Sequence, residues 1–588
     1  MSLAIAGGIP VRRVIPTVPG AAVLHGVRDL RMTDSADDIA PIHPRSQIPR
    51  SLPSRLVGPR LPLVLLCVYM VAAFFLVLFK LSKYMWFNLD EWYFLAGRDA
   101  TTIDGLFAPH NEHWTTLPVL AFRAMYAAVG LHSYRPYQAM VVLAHLIVCL
   151  LLWIIMRRVG VRPWIATSTA AVFVLFGPGQ QNIIWAFQIG FTGSILFGLA
   201  QMIMTDHDGP VDRRDWIGLL FGATALMTSG VAPVLVAAVG VAALLRRGWR
   251  LALFHTAPLA ALFCVWYLIE RPQSAGSFGY PPVSVIANWI VTGETGIFGA
   301  VGHFAIVGAV LAAMLVVGLL VAWLPLEFAS FRVRAAMPLA LLLAVPMFFT
   351  LTSTGRWFMG LEYARSSRYM HVGTALTLPA LAVAADAIAR RWRLLTPVVV
   401  GLLMVAIPWN VAQFEGVPSF EKFLRRQQQL IIGAAYSTKA AEVPDWVARD
   451  RDSSTGGPLT MGWLRTAKQA GKIPGPIPLD RATLRQLELQ VGLVPIEKPG
   501  PTSLQCRAEK KISVRPKKGD RFRISSAVVV SETSDGENPD SAPVRFVPEA
   551  KYLDPTSDDG GMVLETQLDG LYLLFAATGP DAFIFCSK

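Results

Sequence analysis

The chain has 588 residues, of which 53% are hydrophobic and only 16% charged. Soluble domains carry about 25% charged residues, so these figures exclude an ordinary water-soluble protein, and equally a disordered chain, a collagen or a coiled coil. Lys and Arg number 53 against 40 Asp and Glu, a net charge of +13. The surplus falls in short clusters between apolar runs, the pattern of a polytopic membrane protein and not of a nucleic-acid binder.

Residues 1–60 hold eight Arg, no Lys and many Pro, with little apolar periodicity, and read as a disordered cytoplasmic tail. The first long apolar run begins too far into the chain for a cleavable signal peptide, so 61–81 reads as a signal anchor. A spanning helix needs about 20 mostly apolar residues. Roughly eleven segments are candidates by that rule: 61–81, 136–156, 162–178, 183–204, 215–229, 231–246, 250–269, 298–324, 335–353, 370–389 and 394–412. Arginine clusters at 157/158/162, 213/214, 246/247/250, 332/334 and 390/391/393 each follow an even-numbered span. With the N-terminus inside, all of them are cytoplasmic, as the positive-inside bias requires, and the C-terminus is extracytoplasmic. Merging 215–246 into one span would put the later clusters on the wrong side.

Between the first two spans lies a long outer loop, 82–135. It opens with the adjacent acids Asp90 and Glu91. A carboxylate in partly apolar surroundings gains a raised pKa and becomes a competent general base; two solvated loop acids are the plainer reading. His110, Glu112 and His113 follow. Imidazole and carboxylate suit substrate or a divalent metal, although the spacing is not that of a helical His-Glu-x-x-His zinc site. Apolar positions Leu117, Leu120, Phe122, Met125 and Ala128 predict a helix along the membrane interface, with Trp86, Trp92 and Trp114 at headgroup depth. The loop 270–297 reads as a lid or interfacial segment. At 355–371, Arg356, Arg365, Arg368, Tyr369 and His371 concentrate on the face where positive charge is disfavoured. Arginine's planar fork matches phosphate oxygens, and helical spacing would put Arg365 and Arg368 on one face. These residues predict an anionic ligand.

From 413 to 588 charge rises and apolar runs shorten. Segments 420–435 and 478–491 predict amphipathic helices, the second with Asp480 as N-cap. Runs at 511–515, 521–525, 527–530, 571–575 and 582–585 predict strands of a small β-sandwich. Cys506 and Cys586 bracket it and could form a disulfide on an oxidising face; Cys67, Cys149 and Cys264 lie in spans and read as inert packing. The fold class is thus mainly α, a polytopic membrane protein with an extracytoplasmic α+β, sandwich-like C-terminal domain.

The order of motifs resembles the GT-C superfamily of membrane glycosyltransferases, nearest the branch of protein O-mannosyltransferases and lipid A aminoarabinose transferases. The acidic pair Asp90-Glu91 follows span one. The segment from His110 leads into an apolar helix at Leu120. Residues 130–135 precede span two, and Arg368-Tyr369 opens a late span containing Leu378-Pro379. The likeness covers about residues 61–410 and implies a GT-C-like transmembrane domain. It implies a polyprenyl-phosphate-sugar donor and a glycan, lipid or protein acceptor, joined at the outer face of the cell membrane with inversion. Asp90 would be the catalytic base, with Glu91 assisting it or positioning the acceptor. Arg368 and Tyr369 would contact the donor phosphate, with Arg365 and Arg356 as further cations. Relatives carry His-Pro-Pro where this chain has His113-Trp114-Thr115, and a lysine near the middle spans where this chain has none between Lys83 and Lys422. No cofactor is otherwise implied. Two rivals remain: a transporter or flippase of lipid-linked sugars, for which His145 and Asp386 are the nearest mid-span ionisable groups, and a non-catalytic membrane scaffold.

Overall fold

A computed structural model describes residues 60–271, 279–325, 328–414, 416–447, 459–496, 504–533, 543–547 and 561–587. Apart from Arg60, the expected N-terminal tail lies outside the described residues. The chain is mainly helical, and among the described residues nine helices are long and apolar enough to cross a membrane. Eight coincide with expected spans. Three other expected spans, 162–178, 215–229 and 231–246, are the helices Pro163–Val174, Arg213–Leu226 and Ala232–Arg247, of 12, 14 and 16 residues. At 1.5 Å per residue they are about 18–24 Å long, short of the roughly 30 Å hydrocarbon core. The first continues as buried single turns, Gly177–Gly179, Gln181–Ile184 and Ala186–Gln188. Such irregular backbone is tolerated at depth only where protein covers it; here the carbonyls of Phe173 and Val174 meet the Nε2 of His145 at 3.0 and 3.2 Å.

The ninth long helix, Val283–Gly302, falls mostly in the segment read as a loop. Its contacts keep it at one end of the bundle. Trp289 donates to Thr352 Oγ1 at 3.1 Å, Gly296 lies against Arg365 and Met370, and His303, which ends the helix, stacks on Trp409 at 5.5 Å. It therefore lies across that end. His303 takes φ 60°, and Ala305–Trp323 then runs to the opposite end.

That opposite end gathers the arginine clusters. Arg162 and Arg390 clamp the two oxygens of Asp386, each at 2.6 Å. Arg246 meets Asp206 at 2.7 Å, and Arg247 meets Asp215 at 2.5 Å. The outer-loop residues and the C-terminal domain share the other end. Leu131 N–H donates to Lys472 O at 2.7 Å, and Trp463 packs on Trp92 and Tyr126. The helix Thr116–Val129 forms as expected, burying Val119 and Phe122. The three loop tryptophans, however, are not lipid anchors. Trp86, Trp92 and Trp114 are at most 5% exposed, because their rings pack inward against the protein; Trp92 meets Trp86, Phe87 and Trp463, and Trp114 stacks on Trp266 at 5.1 Å. Cys149 is buried, whereas Cys67 and Cys264 are exposed on the helical surface.

The C-terminal helices are Pro418–Tyr436, Met461–Gln469 and Arg481–Gly492. Asp480 caps the last, accepting from Thr483 N–H at 2.6 Å. Two antiparallel sheets follow. One has the order Leu493–Pro495, Met562–Thr566, Arg521–Ile524, Phe583–Ser587, Gln505–Glu509; the other Lys511–Val514, Leu573–Ala577, Val528–Glu532, Val544–Phe546. Phe575 joins them, 5.7 Å from Phe522 and 5.2 Å from Phe585. The expected disulfide is present: Cys506 and Cys586 are directly opposite on neighbouring strands.

Candidate functional site

Asp90 stands at the start of the short helix Glu91–Leu95. The residue before it, Leu89, takes φ 47°, a conformation that costs a branched side chain about 1–3 kcal/mol and persists where surroundings over-determine it. Glu91 supplies that constraint. Its carboxyl accepts from Asn88 N–H at 2.9 Å and from Tyr134 O–H at 2.7 Å. Tyr134 in turn accepts from Ala186 N–H at 2.8 Å. Glu91 is wholly buried, and burial pushes its pKa up to about 8 against the opposing hydrogen bonds from Tyr134 and Asn88. Burial, with Glu91 beside it, holds the Tyr134 hydroxyl well above its usual range. The paired acids therefore part. Glu91 reaches no solvent and braces the loop through Asn88 and Tyr134. Asp90 keeps a side chain 19% exposed.

The histidines come from a two-residue hairpin in which Pro109–His110 pairs with His113–Trp114. Asn111 at the tip takes φ 52°, a conformation asparagine tolerates better than most residues. His110 Nε2 lies 3.5 Å from Asp90 Oδ1 and has no other partner. Its ring is walled by Tyr93, Phe94 and Phe187 at 5.0–5.7 Å. His113 accepts from Gly230 N–H at its Nδ1, 3.2 Å away, which assigns the ring proton to Nε2, 3.8 Å from Glu112. Burial lowers the His113 pKa to about 4, with Arg356, His110 and Arg368 pushing the same way and Glu112 opposing. His113 is thus a neutral imidazole at pH 7.

Arg356 ends the helix Ala336–Arg356 and meets Glu112 Oε1 at 2.8 Å, joining two loops 244 residues apart. Arg368 donates to Tyr363 Oη at 2.7 Å, while its buried Nε has no acceptor. Tyr369 is buried edge-on against Phe348 and Tyr363. Arg365 goes elsewhere. The turn Leu361–Arg365 ends at extended Ser366 before the helix Ser367–Arg391 begins, so Arg365 and Arg368 share no helical face. Arg365 pairs with Glu362 at 3.1 Å.

Metal does not suit this hairpin. Glu112 is taken by a guanidinium, His113 Nδ1 by a backbone N–H, and His110 faces Asp90. Among the described residues one group, His207, Asp212 and Asp215, brings three ligand atoms within 4.8 Å. It lies at the opposite end, where Arg247 and His255 already occupy Asp215.

Tyr134, Tyr363 and Gly230 carry no sequence signal of their own; only the fold makes them neighbours of the acids, the arginine and the imidazole. The chain matches no family model, no curated protein and no solved structure. What the geometry assembles is a partly exposed carboxylate beside an imidazole, with a neutral histidine and two guanidiniums near it, at one end of an apolar helical bundle.

Proposed function

We propose that this chain is a membrane glycosyltransferase of GT-C type, moving a sugar from a polyprenyl-phosphate donor to an acceptor hydroxyl with inversion. The observation that carries this reading is the convergence of Asp90 and His110 with the Glu112–Arg356 pair and Arg368 around one hairpin. Asp90 takes the acceptor's proton as its oxygen attacks the anomeric carbon. The carbon–phosphate oxygen bond breaks, and polyprenyl phosphate leaves with the bonding electrons. Arg368, whose Nε is uncommitted, and Arg356 offset the growing negative charge. One such contact is worth about 3 kcal/mol in the transition state, and the base about 100-fold or more in rate. The tail of a lipid-linked donor stays in the bilayer while its sugar meets a polar acceptor, which suits a site at the end of apolar helices.

One observation favours a second reading. His145 Nδ1 and His371 Nε2 lie 3.0 Å apart, both wholly buried inside apolar helices, and intramembrane ionisable pairs often serve transport. The test is sugar release from a radiolabelled polyprenyl-phosphate-sugar panel in membranes containing wild type or Asp90→Asn at equal levels. Release from one donor, lost in the variant, is expected. No release overturns the transferase; release undiminished in Asp90→Asn overturns Asp90 as the base; movement of the intact donor across the bilayer instead establishes the transporter.

A further inference from the structure

The arginine-rich end contains a cavity unrelated to the outer hairpin. It lies between the C-terminal ends of Ala305–Trp323 and Ser367–Arg391, the turn at Val159–Val161, and the segment Phe331–Ala335, and measures about 340 Å³. One wall is apolar, formed by Val161, Val321, Phe331 and Val383; the other carries Arg334, Arg390 and Arg391 with Asp386. Asp386 is neutralised twice over, by Arg162 and Arg390. Among the described residues, four arginines stand against one aspartate here. Arg334 and Arg391 have no carboxylate partner among the described residues, and Arg162 Nη2 is buried without an acceptor. Gly160 permits the arrangement. Its carbonyl accepts from Arg390 Nη2 at 2.7 Å, and a Cβ there would sit 2.9 Å from Arg334 Nη2.

Two helix C-termini bring partial negative charge to this cavity, which some of the guanidinium charge offsets; the remainder wants an anion. The apolar wall wants hydrocarbon. Its Val321 belongs to the helix Ala305–Trp323, whose Val316, Val317 and Leu320 are 46–61% exposed, and Leu324, Trp392 and Leu394 stand exposed near it. The geometry points to one occupant with both properties: an anionic phospholipid of the leaflet at the arginine-rich end, its phosphate on Arg334 and Arg391 and an acyl chain along Val321 and Val383. Basic pockets between apolar helices are the usual receptors for such headgroups. The inference rests on the membrane placement of the helices and is independent of the reaction at the other end.

The test is native mass spectrometry of the detergent-solubilised full chain, titrated with phosphatidylglycerol, phosphatidylcholine or inorganic phosphate. We expect a phosphatidylglycerol adduct retained at least 10-fold better than the phosphatidylcholine one. It should fall at least 10-fold in Arg334→Gln/Arg391→Gln and be largely restored in Arg334→Lys/Arg391→Lys. Raising salt from 0.1 to 0.5 M should weaken the wild-type adduct several-fold, a readout that does not depend on the variants folding. Equal retention of the two lipids, competition by inorganic phosphate at equal concentration, a salt-insensitive adduct or full retention by the glutamine variant would each overturn the assignment.

Discussion

Replacing Glu91 by glutamine should stabilise the protein at neutral and alkaline pH, although it removes a buried, doubly hydrogen-bonded acid. Burial is the dominant cause of its pKa, which rises from 4.5 to about 8. The unfolded chain ionises near 4.5 and the folded chain only near 8, so between these values the unfolded state binds fewer protons and stability falls as pH rises. At about 1.4 kcal/mol per unit, going from pH 5 to pH 8 costs about 4 kcal/mol. Glutamine keeps the shape and never ionises. Its Oε1 can accept from Asn88 N–H, and its amide can donate to Tyr134. The assay is the apparent Tm of detergent-solubilised wild type and Glu91→Gln across pH 5–8 at one scan rate. The gap between them should open as pH rises, with the variant ahead at pH 8. Parallel curves, or a variant that is the less stable at pH 8, would refute the argument that burial outweighs the hydrogen bonds.

Gly230→Ala puts a Cβ 2.6 Å from His113 Nδ1; displacement of the ring should lower sugar transfer about 10-fold or more, with little loss of Tm. Arg356→Gln leaves Glu112 without its guanidinium and removes a cation that the proposed reaction sets against the donor phosphate, so transfer should drop on the order of 100-fold, whereas Arg356→Lys should recover part of it; equal rates for both variants would exclude a charge role. Because His113 has a pKa of about 4, His113→Gln should leave the shape of the pH–rate profile unchanged between pH 5 and 8. Cys506→Ser/Cys586→Ser opens a loop of 80 residues and should destabilise the C-terminal domain by about 2–4 kcal/mol, seen as faster proteolysis there with the helical bundle intact.

Hydropathy revealed most of the bundle because lipid-facing helices advertise themselves. It overstated the length of one helix that protein encloses. Pro163–Val174 is buried at almost every position, so nothing obliges it to match the bilayer. Val283–Gly302 reads as a loop in the sequence because polar Asn288, Thr292, Glu294 and Thr295 interrupt its apolar run. Adjacency placed Asp90 near Glu91 in sequence but could not assign their different fates, which depend on Tyr134 and Asn88. The Glu112–Arg356 contact was legible only as two suspicious loops. The divergence of Arg365 from Arg368 hangs on one extended residue, Ser366, which a spacing rule applied to a continuous helix does not foresee.

The interrupted segment after Val174 also sets an order on biogenesis. Its turns are tied down by residues made much later: Gln181 N–H donates to Ser367 Oγ, Asn182 Nδ2 to the Arg368 carbonyl, and Gly179 abuts His371. At about 5–20 residues per second the ribosome takes roughly 10–40 s to supply those partners. Until then the nascent chain holds a half-inserted stretch with uncovered backbone, best sheltered by the insertion machinery or by Arg135–Arg158. Chains truncated before residue 367 should therefore be handed to membrane quality control as incompletely inserted, even though most of their hydrophobic helices are already made.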